Sequence, residues 1–414
     1  MKFQNKAMPK FEDFLAETIQ DFIAEHYNTS TEALVLKKQI FNKISNQALA
    51  QQIKAKQKAR LKLPNLFKRR DIIYPLDLNL QQTSSELTAQ YKTKFIDNAS
   101  IIADLTAGFG VDSMAFAKKA KQVYHIEQNK DLSELATFNF KQLQLNNIST
   151  INTTDVQFLK SFEAKLDLLY IDPSRRDQTL QKVFLLEDCS PNILKNWTLY
   201  AEKSKQVLLK LSPLFDLKKL ISDLDNVKQI DVLSVKNEVK ELLVLIDFKF
   251  SGEPNIKCVN LLNESEEVVF DFNFKKETDL NARLGQPKVG EILIEPMASV
   301  LKAGGFKSFA DYYHLNKLHI NTHLYTSTKP LSVAIGRQFN ITKIEAYKPK
   351  SLKKLYRNKK ANVSSRNFPL SVNDIKNKLN ISDGGETYLF FTTDLKNERI
   401  VIEASKCYTK YPIK

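Results

Sequence analysis

Four carboxylates close four successive strand-like segments of this chain: Asp104, Glu127, Asp155 and Asp172. The first opens a turn with closely spaced glycines, Asp104-Leu105-Thr106-Ala107-Gly108-Phe109-Gly110-Val111-Asp112-Ser113. Glycine is required where the backbone takes a positive φ or lets a ligand come within van der Waals distance, and nucleotides bind at such strand-to-helix turns. Glu127 follows the glycines by about twenty residues, the separation at which an acid accepts from both hydroxyls of a ribose. On sequence alone, a surface glutamate at a strand end is the competing reading.

Details of the turn separate a dinucleotide from S-adenosyl-L-methionine. Ser113 stands where a dinucleotide fingerprint has its third glycine, which allows the close helix approach that a pyrophosphate needs. Asp104 would repel a pyrophosphate and attract the cationic amino-acid end of S-adenosylmethionine. Thr106, Ala107, Gly108 and Gly110 then form the cofactor turn, with Gln128 beside Glu127. Asp155, in Thr153-Thr154-Asp155-Val156, is placed to accept from an adenine amino group, with Val156 against the ring. Capping the helix that follows is a second role for Asp155, and both can hold.

The fourth strand delivers Asp172-Pro173-Ser174-Arg175-Arg176 to the carboxyl edge of the sheet, the candidate catalytic segment. In amino-group methyltransferases an Asp/Asn-Pro-Pro-aromatic tetrad here holds an exocyclic nitrogen while the ring stacks on the base. Ser174 replaces the second proline and Arg175 the aromatic, so stacking falls to a guanidinium plane. Arg175 and Arg176 could instead clamp a phosphate or carboxylate, or pair with Asp172, Asp177, Glu187 or Asp188. Lys210, at the end of the fifth strand, is a candidate substrate contact. No cysteine occupies Leu209-Lys210-Leu211-Ser212-Pro213, which argues against covalent C5-pyrimidine methylation. Transfer to nitrogen or oxygen needs only in-line positioning and a proton acceptor.

These side chains need a sheet to carry them, and between Ile101 and Phe248 apolar strands alternate with helical segments, as in a parallel sheet covered on both faces. Strands are expected at 101–106, 123–127, 150–154, 166–171, 207–211, 230–235 and 241–248. Lys236 to Lys240 is too short for a crossover helix, so the last two pair as an antiparallel hairpin. By analogy this is a Rossmann-like α/β sheet of seven strands, the class I methyltransferase outline. Before it, apolar residues at helical spacing (Phe11, Phe14, Leu15, Ile19, then Leu34, Leu36, Ile40, Phe41) predict a helical domain. After Ser251-Gly252-Glu253-Pro254, short strands and a helix near Val300 to Tyr313 predict α+β domains.

The chain's 414 residues imply about two to four domains, and 62 Lys and Arg against 47 Asp and Glu leave a net charge of +15. That excess favours a polyanionic partner, RNA foremost. Two basic stretches stand out. One is Lys54, Lys56, Lys58, Arg60 and Lys62 with Lys68, Arg69 and Arg70, read either as a solvated helix face or as a phosphate-contacting surface. The other runs from Lys348 to Lys360 through Lys353, Lys354 and Arg357, seven cations in thirteen residues with Tyr347 and Tyr356 among them. Cations interleaved with rings suit phosphates and bases, and a solubilising loop would have a similar composition. Cys189, Cys258 and Cys407 lie too far apart for a zinc or iron–sulfur site, and His314, His319 and His323 read as structural, so no metal is expected. No apolar signal core and no stretch of roughly 20 apolar residues occurs. A cytoplasmic protein without a membrane partner is expected.

Together these residues resemble bacterial class I methyltransferases with a C-terminal THUMP-like domain preceded by a small ferredoxin-like segment. The resemblance is carried by Gln82-Thr83-Ser84-Ser85-Glu86-Leu87-Thr88-Ala89-Gln90-Tyr91-Lys92, the glycine turn, Asp172 to Arg176, Glu295-Pro296, Lys302-Ala303-Gly304, Asn321 to Tyr325 and Gly336-Arg337-Gln338-Phe339. It implies S-adenosylmethionine in the glycine turn, and Ser84, Ser85 and Glu86 at the cofactor or substrate mouth. Domains are expected at 1–75 (helical), 76–250 (methyltransferase), 251–330 (ferredoxin-like) and 331–414 (THUMP-like). The expected activity is methylation of tRNA or rRNA at a base nitrogen. Its alternatives are a protein or acidic small molecule as acceptor, or a catalytically silent RNA-binding protein.

Overall fold

The computed structural model describes residues 10–175, 185–331 and 335–407. One compact unit runs to Leu211 and takes in Leu245–Lys249; the other comprises Ser212–Val244 and Phe250–Lys414.

The first unit begins with α1 (Glu17–Glu25) and α2 (Asn46–Lys62). Ser45 caps α2 by accepting from the Ala48 N–H at 3.2 Å, satisfying one of the donors that a first helical turn leaves open. Phe14, Ile19, Leu34, Leu49 and Ile53 are buried in one core with Val111, Met114, Leu135 and Phe140. The N-terminal helices therefore share their apolar face with helices that cover the sheet. Leu36 and Ile40 face solvent instead, because the short helix carrying Leu34 ends at Val35. Two further helices, α3 (Asp77–Gln82) and α4 (Glu86–Lys92), lead into the sheet.

Five strands, β1 (Ile101–Asp104), β2 (Gln122–Ile126), β3 (Ile148–Ile151), β4 (Leu166–Ile171) and β5 (Ser204–Leu211), alternate with α5 (Val111–Ala117), α6 (Lys130–Gln142), α7 (Asp155–Ser161) and α8 (Trp197–Lys203). They pair in parallel in the order β3-β2-β1-β4-β5. The order reverses between β1 and β4, and ligands of open α/β sheets bind at the carboxyl edge of that reversal. β3 ends earlier than expected because Thr154 and Gln157 form a capping box that starts α7.

After α9 (Leu217–Asp223), β6 (Val227–Val235) and β7 (Glu238–Asp247) form the expected hairpin, on a tighter turn. Lys236 and Asn237 take φ values of 49° and 63°, the left-handed pair of a two-residue type I′ turn. β7 lies between β5 and β6, so the seven expected strands run 3-2-1-4-5-7-6. The sheet does not stop there. β8 (Asn255–Leu261) pairs in parallel with β6, and β9 (Glu267–Phe272) antiparallel with β8, making nine strands among the described residues.

A second sheet is built from β10 (Ile292–Pro296), β11 (Asn316–His319), β12 (Thr322–Ser327), β13 (Gly336–Ala346), β14 (Asn362–Arg366), β15 (Thr387–Thr393) and β16 (Arg399–Lys406), in the order β11-β12-β10-β13-β16-β15-β14. The helix expected near Val300 is two helices, α10 (Ala298–Ala303) and α11 (Phe306–Tyr312), since Gly304 ends α10 with a φ of 84°. Two more, α12 (Pro349–Tyr356) and α13 (Val372–Leu379), bury Leu352, Tyr356, Ile375 and Leu379 against Leu389 and Phe391. No described helix is long and apolar enough to cross a membrane.

Candidate functional site

The chain leaves β1 at Asp104 and turns into α5 with φ of 57° at Gly108 and 88° at Gly110. A Cβ on Gly110 would lie 2.6 Å from Phe140 Cζ and 3.1 Å from His125 Cε1. This position demands glycine for both conformation and space. Neighbouring strands hold the turn: the Leu105 N–H donates to the Tyr170 carbonyl at 3.0 Å and the Ala107 N–H to that of Ile126 at 3.2 Å.

The turn forms a wall of a cleft of about 570 Å³, a volume suited to a nucleotide-sized cofactor. All four carboxylates, Asp104, Glu127, Asp155 and Asp172, line it, Asp155 from the first turn of α7 rather than from a strand end. Thr106, Ala107, Gly108, Gly110 and Gln128 do so as well, as do Pro173, Ser174 and Ser84.

Other candidates lie elsewhere. Val156 is outside the lining, because it follows Asp155 onto α7; Ile126, Thr153 and Thr154 form that wall. The capping role open to Asp155 belongs to Thr154, and Asp155 accepts from Asn196 Nδ2 at 3.4 Å. Ser85 caps α4 by accepting from the Thr88 N–H at 3.2 Å and is not in the lining. Glu86 turns away to accept from the N–H groups of Asn65 and Leu66, both at 3.0 Å. Lys210 also lies outside the lining and donates to Asp172 Oδ2. The Arg175 side chain and Arg176 fall outside the described residues.

The buried charges below the cleft are paired with care. Asp104, 1% exposed, accepts from Ser113 Oγ at 2.7 Å and from the Thr106 N–H at 3.3 Å. Burial pushes its carboxyl up to about 8, with Asp112 and Asp172 adding to the rise. Ser113 Oγ also lies 3.1 Å from His125 Nδ1, and burial lowers His125 to about 3, which keeps the ring neutral. Asp112 accepts from Lys92 Nζ at 2.9 Å, Ser84 Oγ at 2.7 Å and Tyr170 OH at 2.9 Å. Burial alone would raise this carboxyl, but Lys92 and Lys210 outweigh it and hold it below the usual range.

Asp112, Lys92 and the Ser113–His125 contact were not among the sequence candidates. For Asp112 a signal exists: two residues past the last glycine it must fall in the first turn of α5. At the cleft edge, Glu127 accepts from the Gly108 N–H at 3.0 Å and the Asn129 N–H at 2.7 Å. The Asp172 N–H donates to Thr106 Oγ1 at 2.7 Å, tying the fourth strand to the glycine turn.

The two basic stretches differ. In the first, Lys56 donates to the Arg69 carbonyl, Lys62 to those of Leu80 and Gln81, Arg69 pairs with Asp71 and Arg70 with Asp21. Lys56, Lys62 and Arg69 are thus tied to local partners, whereas Lys54, Lys58, Arg60, Lys68 and Arg70 stay exposed. In the second, all seven cations from Lys348 to Lys360 are exposed. The tyrosines are not offered for stacking: Tyr356 is 4% exposed, and Tyr347 packs on Phe368 with ring centroids 4.9 Å apart. Helical spacing puts Leu352 and Tyr356 on the core face of α12. His319 and His323 sit on the β11–β12 hairpin, and His323 stacks on Phe306 at 3.5 Å. Among the described residues no three His, Cys, Asp or Glu side chains converge as a metal site.

Residues 336–406 match the family described as THUMP domain-like, and residues 293–332 a ferredoxin-like domain. A crystal structure from Porphyromonas gingivalis W83, described as a "putative methyltransferase", superposes with a TM-score of 0.86 at 29% identity, covering 97% of this chain and 100% of that one. An uncharacterized RNA methyltransferase of Mycoplasma mobile is 33% identical over 84 residues, 20% of this chain and 23% of that protein. The chain thus spans less than a quarter of the length of this curated relative.

Strand order, glycine turn and strand-end carboxylates define a class I methyltransferase fold. A THUMP-like and a ferredoxin-like module stand C-terminal to that fold, and the whole chain is similar to the Porphyromonas gingivalis structure.

Proposed function

We propose that this protein transfers a methyl group from S-adenosyl-L-methionine to a base nitrogen of RNA. The observation that carries the reading is the single cleft in which Asp104, Glu127 and Asp155 meet Asp172-Pro173-Ser174. Bound there, S-adenosylmethionine supplies an electrophilic methyl group. Ionised Asp104 would take the ligand's ammonium, and Glu127, with both oxygens already oriented by main-chain N–H groups, the ribose hydroxyls. Asp155 would accept from the adenine amino group. Asp172 would accept from the acceptor nitrogen, holding its lone pair in line with the methyl group.

Asp104 makes binding of the donor pH-dependent. Its raised carboxyl is protonated in the free protein below about 8, so a docking cation must displace that proton. Affinity for S-adenosylmethionine should rise roughly tenfold per pH unit between about pH 5.5 and 7, a range in which an α-ammonium stays charged. Calorimetry across this range checks it; a flat affinity would remove Asp104 from the ammonium site.

RNA as acceptor is supported by the net charge of +15, the exposed cations of α12 and the RNA methyltransferase relative. Reversing Lys353, Lys354 and Arg357 to Glu should weaken RNA binding more than tenfold at low salt. The slope of log K against log salt should also shrink by about two, at roughly 0.7 per single-strand phosphate contact. All three side chains are exposed, so the variant should fold. Filter binding over a salt series tests this, and an unchanged slope would exclude the α12 face.

A further inference from the structure

Asp172 and Lys210 emerge side by side because β4 and β5 are neighbours, with Ile171 paired to Leu209. Lys210 Nζ forms an ion pair with Asp172 Oδ2, the lysine side chain 13% exposed and the aspartate 31%. The aspartate lines the cleft and the lysine does not. On the main-chain side, Thr106 Oγ1 accepts the Asp172 N–H at 2.7 Å. The residue is therefore gripped twice, through its backbone by the glycine turn and through one carboxylate oxygen by a lysine behind it. Among the described residues no hydrogen bond occupies Oδ1.

We propose that Lys210 is a positioning residue for methyl transfer: through Asp172 it fixes a carboxylate whose Oδ1 accepts from an exocyclic amino group of the acceptor base. This rests on the function proposed above and replaces a direct substrate contact for Lys210. A solvated carboxylate rotates among several orientations, whereas one held at both ends presents a single acceptor direction. The nitrogen lone pair then forms the new N–C bond, the C–S bond breaks with its electron pair going to sulfur, and the surplus proton leaves nitrogen through Asp172 Oδ1 to solvent. Lys210 also acts on Asp112, but Lys92 holds that carboxylate independently at 2.9 Å. Donor binding should therefore survive the loss of Lys210.

The test compares K210M, K210R, D172N and K210M/D172N for transfer to total RNA, for S-adenosylmethionine affinity by calorimetry and for thermal unfolding. K210M should lose about 10- to 100-fold in kcat/KM. K210R should recover to within about fivefold of wild type, and donor affinity should stay within about threefold throughout. On top of D172N, K210M should cost nothing more, because both act through one carboxylate. If K210M does not fold, K210Q gives the same comparison. The proposal is overturned by unchanged activity in K210M, by a full additional loss in the double variant, or by donor affinity falling in step with activity. A wild-type protein that transfers no methyl group to RNA overturns the functional reading itself, and this inference with it.

Discussion

Replacing Asp172 by alanine should reduce methyl transfer by about 10²- to 10⁴-fold and leave S-adenosylmethionine affinity within about threefold. Asp172 sits at the carboxyl end of β4, beside the point where strand order reverses. Its N–H is spent on Thr106 and its Oδ2 on Lys210, so what it offers the cleft is the remaining carboxylate oxygen. The side chain contributes little to the donor side: among the causes that raise Asp104, Asp172 ranks last. D172A would leave Lys210 without its carboxylate, and D172N separates that effect by keeping an oxygen acceptor without the charge. Steady-state kinetics beside calorimetry decides the matter. Activity retained in D172A would remove Asp172 from the acceptor site.

Gly110→Ala should be the most damaging single methyl group that could be added to the glycine turn. The new Cβ would meet Phe140 Cζ at 2.6 Å and Cε1 at 2.9 Å, in a backbone held at φ 88°. Phe140 is 3% exposed and packed in the core with Met114 and Leu135, so its ring has nowhere to go. Overpacking and left-handed strain together should cost about 2–5 kcal/mol, and the distorted turn should lose at least about 100-fold in donor affinity. Gly108→Ala is the internal control. At φ 57° its nearest contact would be the Thr106 carbonyl at 4.0 Å, so only the left-handed cost of about 1–2 kcal/mol applies. Chemical denaturation of both variants checks the ranking, and equal losses would contradict the packing argument.

Much of the site was legible because strand ends announce themselves. Buried parallel strands read as apolar runs, and the first polar residue after each run is the one delivered to the carboxyl edge. Asp104, Glu127 and Asp172 reach the cleft lining in that way. The Thr154-to-Gln157 spacing carried a further local signal, the capping box, which moved the end of β3 and took Asp155 out of the cap. Lys92 had no such signal: a lysine on a short helix reads as solvated, and its complete burial depends on α4 docking against α5. The same holds for Lys56 and Lys62, whose carbonyl partners lie 13 and 19 residues away. On α12 the composition was read correctly for charge and wrongly for the rings, because helical period turned Tyr356 into the core. β8 and β9 were missed as sheet members since edge extension depends on pairing with β6, which sequence alternation does not encode.

The account is tested most directly by incubating the purified protein with methyl-labelled S-adenosylmethionine and total RNA, digesting the RNA and separating its nucleosides. The predicted result is label in a nucleoside methylated on a base nitrogen, lost in D172A. Label in protein with none in RNA, or no transfer to any acceptor by a protein that binds the donor, would contradict it.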